Sequence, residues 1–212
     1  MHVQLIDAPA VRRILTMSAC IKVLDGAMRA ASRGELNAPP RLFVPLPDND
    51  ASLGLMPGIA AALDVYGAKI VSLNPHNPAK DLPAVQGFIA LFDRQTGTPV
   101  ALIEGAAVTA IRTAAASGLA TRELARESAS THGIFGTGVQ AVTHIDAIAA
   151  VRPISRVVIW GRDTTRASEL AAEQAERTGL DIVASSDPRA AAACDVVSTV
   201  TGARQPALTS MA

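Results

Sequence analysis

Two sets of residues in this 212-residue chain have types and spacings that can do chemistry. The first is Gly136-Thr137-Gly138-Val139-Gln140-Ala141, a G-x-G-x-x-A that follows an apolar strand-like run and opens a helical one. In that context the first glycine permits a tight turn, the second lets backbone approach a pyrophosphate, and the small Ala141 lets the helix pack on its strand. The N–H groups at the helix start then face the phosphates. The competing reading is an α/β packing turn that binds nothing. The second set is cationic: Arg41 precedes a strand-like run, Lys69 lies inside YGAKIVSL and Arg112 inside TAIRTAAA, all in apolar surroundings. Burying a cation is costly unless an anion meets it. A carboxylate-bearing substrate would supply that anion, with Arg offering a planar fork and Lys a point charge that also moves a proton. Read separately, each cation could equally snorkel to solvent or pair with an acidic neighbour.

The run Val157 to Trp160 follows the glycine turn at the distance expected of the second strand of a dinucleotide fold, and it ends in Gly161-Arg162-Asp163. A corner selective for NAD presents a carboxylate to the ribose at the place Gly161 occupies. Arg162 can instead pair with a 2′-phosphate, so NADP(H) is favoured, while Asp163 keeps NAD(H) possible. The histidines carry less information. His76 lies in a loop, His132 in the strand before the turn and His144 on the helix after it, the last two reading as packing or surface residues. No pair has i, i+4 spacing or a carboxylate at ligand distance, so no metal is expected. Neither a G-x-S-x-G elbow nor a Walker A lysine is present, which leaves hydrolase and kinase readings unsupported.

These residues need elements to hold them. Residues 9–34 carry apolar side chains at helical spacing and stop at Gly34, predicting one or two amphipathic helices. After Pro39 and Pro40, short apolar runs between turn residues predict an antiparallel sheet, with residues 88–103 as a hairpin around DRQTGTP. A helical pattern returns from Val108 to Arg126, with Thr109 available as its cap, and would join two domains. Beyond it HGIFGTG, RVVIWGRD, DIVASSD and ACDVVSTVT alternate with helical segments, predicting βαβ units and a parallel sheet. The expected architecture is α/β: an N-terminal α+β domain over residues 1–125 and a Rossmann-type parallel-sheet domain over 126–212.

Composition narrows the partners. The chain is 49% apolar and carries 19 Lys+Arg against 19 Asp+Glu, which excludes intrinsic disorder and offers no electrostatic footprint for nucleic acid or an anionic membrane. Two cysteines, Cys20 and Cys194, form no zinc or redox pattern, and no signal peptide or membrane span is read, so the expectation is a cytoplasmic protein.

PPRLFVPLP, LGLMPG, GAKIVSLNPHNP, TGTPVALIEGAAVTAIRTAAASGLA, GTGVQA, VVIWGRD and DVVSTVTG, occurring in this order, resemble the ornithine cyclodeaminase/mu-crystallin family. The element T-A-x-R-T-A-A, Thr109 to Ala115, is the most specific part. The resemblance implies a homodimer with a substrate-binding and dimerisation domain built from both chain ends, here residues 1–125 without the family's C-terminal segment, a Rossmann domain between those ends, and NAD(P) as cofactor. It implies that Arg41, Lys69 and Arg112 hold a substrate carboxylate, with Lys69 as proton donor or relay. It further implies cofactor contacts from Thr113, Gly136, Gly138, Val139, Gln140, Gly161, Arg162, Asp163, Val200 and Thr201. The expected activity is NAD(P)H-dependent reduction of cyclic imino acids such as pyrroline-2-carboxylate. The alternatives are an ornithine cyclodeaminase using bound NAD and a catalytically inactive, crystallin-like NAD(P)-binding protein. Two departures from the family pattern stand out. Ala84 occupies a place where the family often has Thr near the nicotinamide. The chain also stops at Ser210-Met211-Ala212, before the family's glycine-rich substrate loop and C-terminal helix, so a truncated member is expected.

Overall fold

The computed structural model describes residues 2–47, 50–80, 82–203 and 205–206; the segment Ser210-Met211-Ala212 lies outside them. The chain divides into two compact units, one of Met1–Thr16 and Asp25–Thr109, the other of Met17–Leu24 and Ala110–Ala212.

The first unit is built on a seven-stranded sheet. Its strands are β1 (Gln4–Ile6), β2 (Leu36–Asn37), β3 (Leu42–Pro45), β4 (Ser52–Ala60), β5 (Val65–Leu73), β6 (Val85–Asp93) and β7 (Pro99–Glu104). They run in the order β1-β7-β6-β5-β4-β2, and β3 joins β4 beside β2. The meander from β4 to β7 is antiparallel, as the alternation predicts, and Gly97 at φ 68° closes the β6–β7 hairpin. The parallel pairing of β1 with Ala101–Ile103 of β7 is absent from the sequence reading. Two helices follow β1: α1 (Ala8–Ile14), capped by the Asp7 carboxylate on Ala10 N–H, and α2 (Met17–Ser32), after which Gly34 adopts φ 73°.

A long helix, α3 (Gly105–Leu124), leads into the second unit. It starts three residues before the sequence pattern suggests. Thr109 is not its cap: the Glu104 carboxylate accepts from the N–H groups of Ala106 and Ala107 and so satisfies the first turn. The pattern switch at residue 125 falls at the end of this helix, whereas the compact units part between Thr109 and Ala110. The reason is packing. Ala114, Ala115 and Leu119 are buried, Ser117 is hydrogen-bonded to His144, and a Cβ at Gly118 would lie 2.9 Å from the Ala147 carbonyl and 3.0 Å from Ile21.

The second unit carries β8 (Thr131–Phe135), α4 (Val139–Ala149), β9 (Arg156–Trp160), α5 (Thr164–Thr178), β10 (Asp181–Ser185), α6 (Pro188–Ala192) and β11 (Val196–Thr199). Its strands are all parallel, in the order β10-β9-β8-β11, with βα units on either side of the first strand as in a Rossmann sheet. Ile134, Ile145, Ile148, Val157 and Ile159 are each 1% exposed or less and fill the space between this sheet and α4 and α5. Among the described residues no helix is long and apolar enough to cross a membrane.

Candidate functional site

Lys69 stands at the centre of β5, itself central in the first sheet, paired across to Met56 and Ile89. The pleat puts Lys69 on the same face as Val71, which is 1% exposed. A cation is thus placed, half-buried, on the covered face of a sheet. Its ammonium donates to the Thr109 hydroxyl at 2.5 Å, and that hydroxyl donates in turn to the Gly105 carbonyl, also at 2.5 Å. Two glycines let the first turn of α3 come this close to the strands. A Cβ at Gly105 would sit 2.9 Å from the Gly87 backbone, and a Cβ at Gly87, φ 159°, would strike the Ile70 carbonyl.

Arg41 behaves differently from the sequence expectation: it lies just before β3 and is exposed, so no burial argument applies to it. Arg112 and Thr113 sit half-buried on α3, three and four residues beyond Thr109, spacings that a helix places on one face.

In the second unit the glycine turn joins β8 to α4 as predicted. Gly136, at φ 129°, has a conformation and surroundings that admit only glycine, since a Cβ would lie 2.8 Å from the Val200 carbonyl. That close approach brings Val200 and Thr201, which leave β11, against the turn. A Cβ at Gly161, after β9, would fall 2.7 Å from the Thr137 methyl, so the turn is clasped between the ends of β9 and β11. Gly138 contrasts with both: nothing lies within 4 Å of a Cβ built there, and Val139 beside it is 69% exposed. Here no packing among the described residues calls for the missing side chain.

The adjoining groove, about 630 Å³, opens at the carboxyl ends of the parallel strands and is lined by Trp160, Arg162, Thr201, Gly202 and Ala203. In open parallel sheets this is the edge where ligands bind. The side-chain oxygen of Gln140, in the first turn of α4, is buried with no hydrogen-bond partner among the described residues. An open backbone approach at Gly138, a helix start and a groove that carries Arg162 together fit a dinucleotide. Asp163 is otherwise engaged: its carboxylate caps α5 by accepting from Arg166 N–H at 3.0 Å.

Behind the turn, His132 and His144 are packing residues, in agreement with their sequence reading. His132 is 0% exposed and hydrogen-bonded through Nε2 to Ser198 Oγ at 2.9 Å; burial, with His144 nearby, pushes it down to about 3. His144 Nδ1 donates to the Gln140 carbonyl at 2.7 Å, so in the neutral ring Nε2 accepts from Ser117. Burial lowers its basicity as well.

Two residues stand here that the sequence patterns above do not single out. Trp160 lines the groove at the carboxyl end of β9, a position that the run RVVIWGRD marks with a bulky aromatic before Gly161. Thr109 accepts from Lys69 inside the first turns of α3 instead of capping it, and the Glu104-Gly105 pair is the local signal for that earlier helix start.

A profile of the ornithine cyclodeaminase/mu-crystallin family matches residues 3–211. A Delta(1)-pyrroline-2-carboxylate reductase of Bacillus cereus is 35% identical over 95% of this chain and 62% of its own length. The structure of Thermococcus litoralis Delta(1)-pyrroline-2-carboxylate reductase in complex with NADH and L-proline superimposes with a TM-score of 0.93 at 32% identity, covering 97% of this chain and 64% of that one. A lysine cyclodeaminase structure, for recognition of L-lysine, L-ornithine and L-2,4-diaminobutyric acid, gives 0.88 at 32% identity, covering 100% of this chain and 65% of that one. The chain therefore spans less than two thirds of the length of the relatives it matches. With the glycine turn, the Lys69 strand and the T-A-x-R-T-A-A helix all in place, the chain belongs to the ornithine cyclodeaminase/mu-crystallin family.

Proposed function

We propose that this chain carries the cofactor-binding and proton-donating parts of an NAD(P)H-dependent reductase of cyclic imino acids, of the pyrroline-2-carboxylate type. The observation that carries the reading is Lys69: an ammonium held half-buried at the centre of a sheet, with a defined hydrogen-bond acceptor, is poised to give a proton rather than to solubilise a surface. The similarity to pyrroline-2-carboxylate reductases supports the substrate class. A nicotinamide dinucleotide held at the glycine turn would supply the hydride. The chain's residues do the rest. Gly136, Gly138, Val139, Gln140 and Gly161 shape the phosphate approach, with Thr113, Val200 and Thr201 as further contacts, while Arg162 engages the adenosine end and favours a 2′-phosphate, hence NADP(H). Arg112 and Arg41 hold the substrate carboxylate. Lys69 protonates the ring nitrogen as the imine carbon takes up hydride, so the C=N bond becomes CH–NH and both electrons and proton are accounted for. The working protein is a homodimer, residues 1–125 serving substrate binding and dimerisation and 126–212 the cofactor.

The purified 212-residue chain, given pyrroline-2-carboxylate and NADPH, is expected to consume reduced nicotinamide only when the imine is present. Lys69→Met should lower turnover by about 10²–10⁴-fold. The similarity to a lysine cyclodeaminase favours a second reading, in which a diamino acid is oxidised, cyclised and re-reduced with loss of ammonia. Ammonia release from ornithine with NAD, without imine reduction, would establish that reading instead.

A further inference from the structure

We infer that Thr109 is a positioning residue that holds Lys69 as a proton donor, through a chain running from the Lys69 ammonium to the Thr109 hydroxyl to the Gly105 carbonyl. The inference rests on the proposed role of Lys69 and adds a second residue to it.

The direction of each bond follows from what the atoms can do. A backbone carbonyl only accepts, so the single hydroxyl proton of Thr109 is committed to Gly105. What remains on Oγ1 toward Lys69 is lone pair. The Lys69 nitrogen must therefore present an N–H to Thr109 and cannot rest a lone pair against it. This contact is stronger to the ammonium than to the free amine, and it fixes one N–H direction at the end of a long, flexible side chain. One of its three hydrogens is thereby placed, and the orientation of the other two with it. The anchor is rigid. Gly105 is the first residue of α3, pressed on the β6 backbone at Gly87, and the Glu104 carboxylate ties the same turn through Ala106 and Ala107. A threonine bonded back to the carbonyl four residues earlier normally gives a helix nothing in stability. Here the back-bond aims the acceptor.

The chain has three lysines, Lys22, Lys69 and Lys80, of which Lys22 and Lys80 are exposed. Side-chain ¹⁵N NMR of lysine-labelled protein thus gives a small spectrum in which Lys69 is assigned by its loss in Lys69→Met, with two internal references. In Thr109→Val, which keeps shape and branching but removes the hydroxyl, the Lys69 Nζ titration should move to lower pH and its N–H exchange should quicken about tenfold. Lys22 and Lys80 should not change. Thr109→Ser should restore the wild-type signals. In the imine-reduction assay, Thr109→Val should lower kcat by about tenfold or more with KM nearly unchanged. Circular dichroism and the melting temperature of each variant separate these effects from misfolding. Wild-type Lys69 titration and exchange in folded Thr109→Val would overturn the inference. Failure of the underlying reading looks different: full imine reduction by Lys69→Met, whatever the spectra of the Thr109 variants.

Discussion

The two units of the chain bury different things. In the second, Ile134, Phe135, Ile145, Ile148, Val157 and Ile159 are all under 2% exposed, and Phe135 stacks obliquely on Trp160 at 5.4 Å. In the first, Val71 is the large side chain buried to that degree among the described residues, whereas Leu42, Phe43, Val44 and Leu53 are 39–54% exposed. The first three belong to β3, which among the described residues pairs with β4 alone. Apolar burial at about 25 cal/mol per Å² stabilises the second unit from within, while the first leaves much of that stabilisation unrealised. A self-contained core can therefore serve as a rigid cofactor platform. A sheet with apolar side chains in water calls for another surface, and exposed apolar edges are where chains associate.

The sharpest way to break this contrast is at two glycines of the second unit. A Cβ at Gly133 would land on the Ala191 carbonyl, with the Ala191 Cα only 3.1 Å away, so Gly133→Val should cost more than about 4 kcal/mol and abolish the unit's cooperative urea transition. Gly138→Val has open space and should fold as wild type, yet lose dinucleotide affinity by about 100-fold or more, read from the fluorescence of Trp160, the only tryptophan in the chain. Equal stability losses in the two variants would refute the distinction between a packing glycine and a ligand glycine.

On the first unit, the proposed homodimer predicts that a double Leu42→Glu/Val44→Glu substitution on β3 reduces the sedimenting mass at micromolar concentration while leaving the second unit's melting unchanged. An undiminished dimer would place the association elsewhere.

The buried histidines tie the second unit's stability to pH. The folded value of His132, about 3, lies below its ordinary 6.5, so between these limits the unfolded chain binds the extra proton. Stability contributed by keeping His132 neutral is full above 6.5 and drains as pH falls toward 3, at up to about 1.4 kcal/mol per pH unit, and His144 shifts in the same direction. Urea titrations at pH 7 and pH 5 should show the loss, and His132→Leu combined with Ser198→Ala should flatten the slope. The smallest expected effect is at Arg162. Replacing it with alanine should reduce the preference for NADPH over NADH by about tenfold and leave NADH affinity nearly intact; tighter NADH binding by the wild type would overturn the cofactor preference.

What the sequence determined alone is what short-range periodicity and turn chemistry carry. The G-x-G-x-x-A turn, the βα alternation after it and the hairpin around Gly97 depend on neighbours a few residues apart, and so they were legible. The oddity of Lys69 was legible too, because a cation inside an apolar strand is a local anomaly. Only the tertiary structure decided the rest. The pairing of Gln4–Ile6 with β7 joins residues nearly a hundred positions apart, and no local pattern in three residues encodes it. That Arg41, just before β3, is exposed is likewise a property of the folded chain that the run PPRLFVPLP does not encode. The partnership of Lys69 and Thr109 needed α3 to begin at Gly105 rather than Val108. That start was set by Glu104 capping the turn and by Gly87 and Gly105 yielding space to one another, a mutual fit between two elements that neither segment specifies by itself.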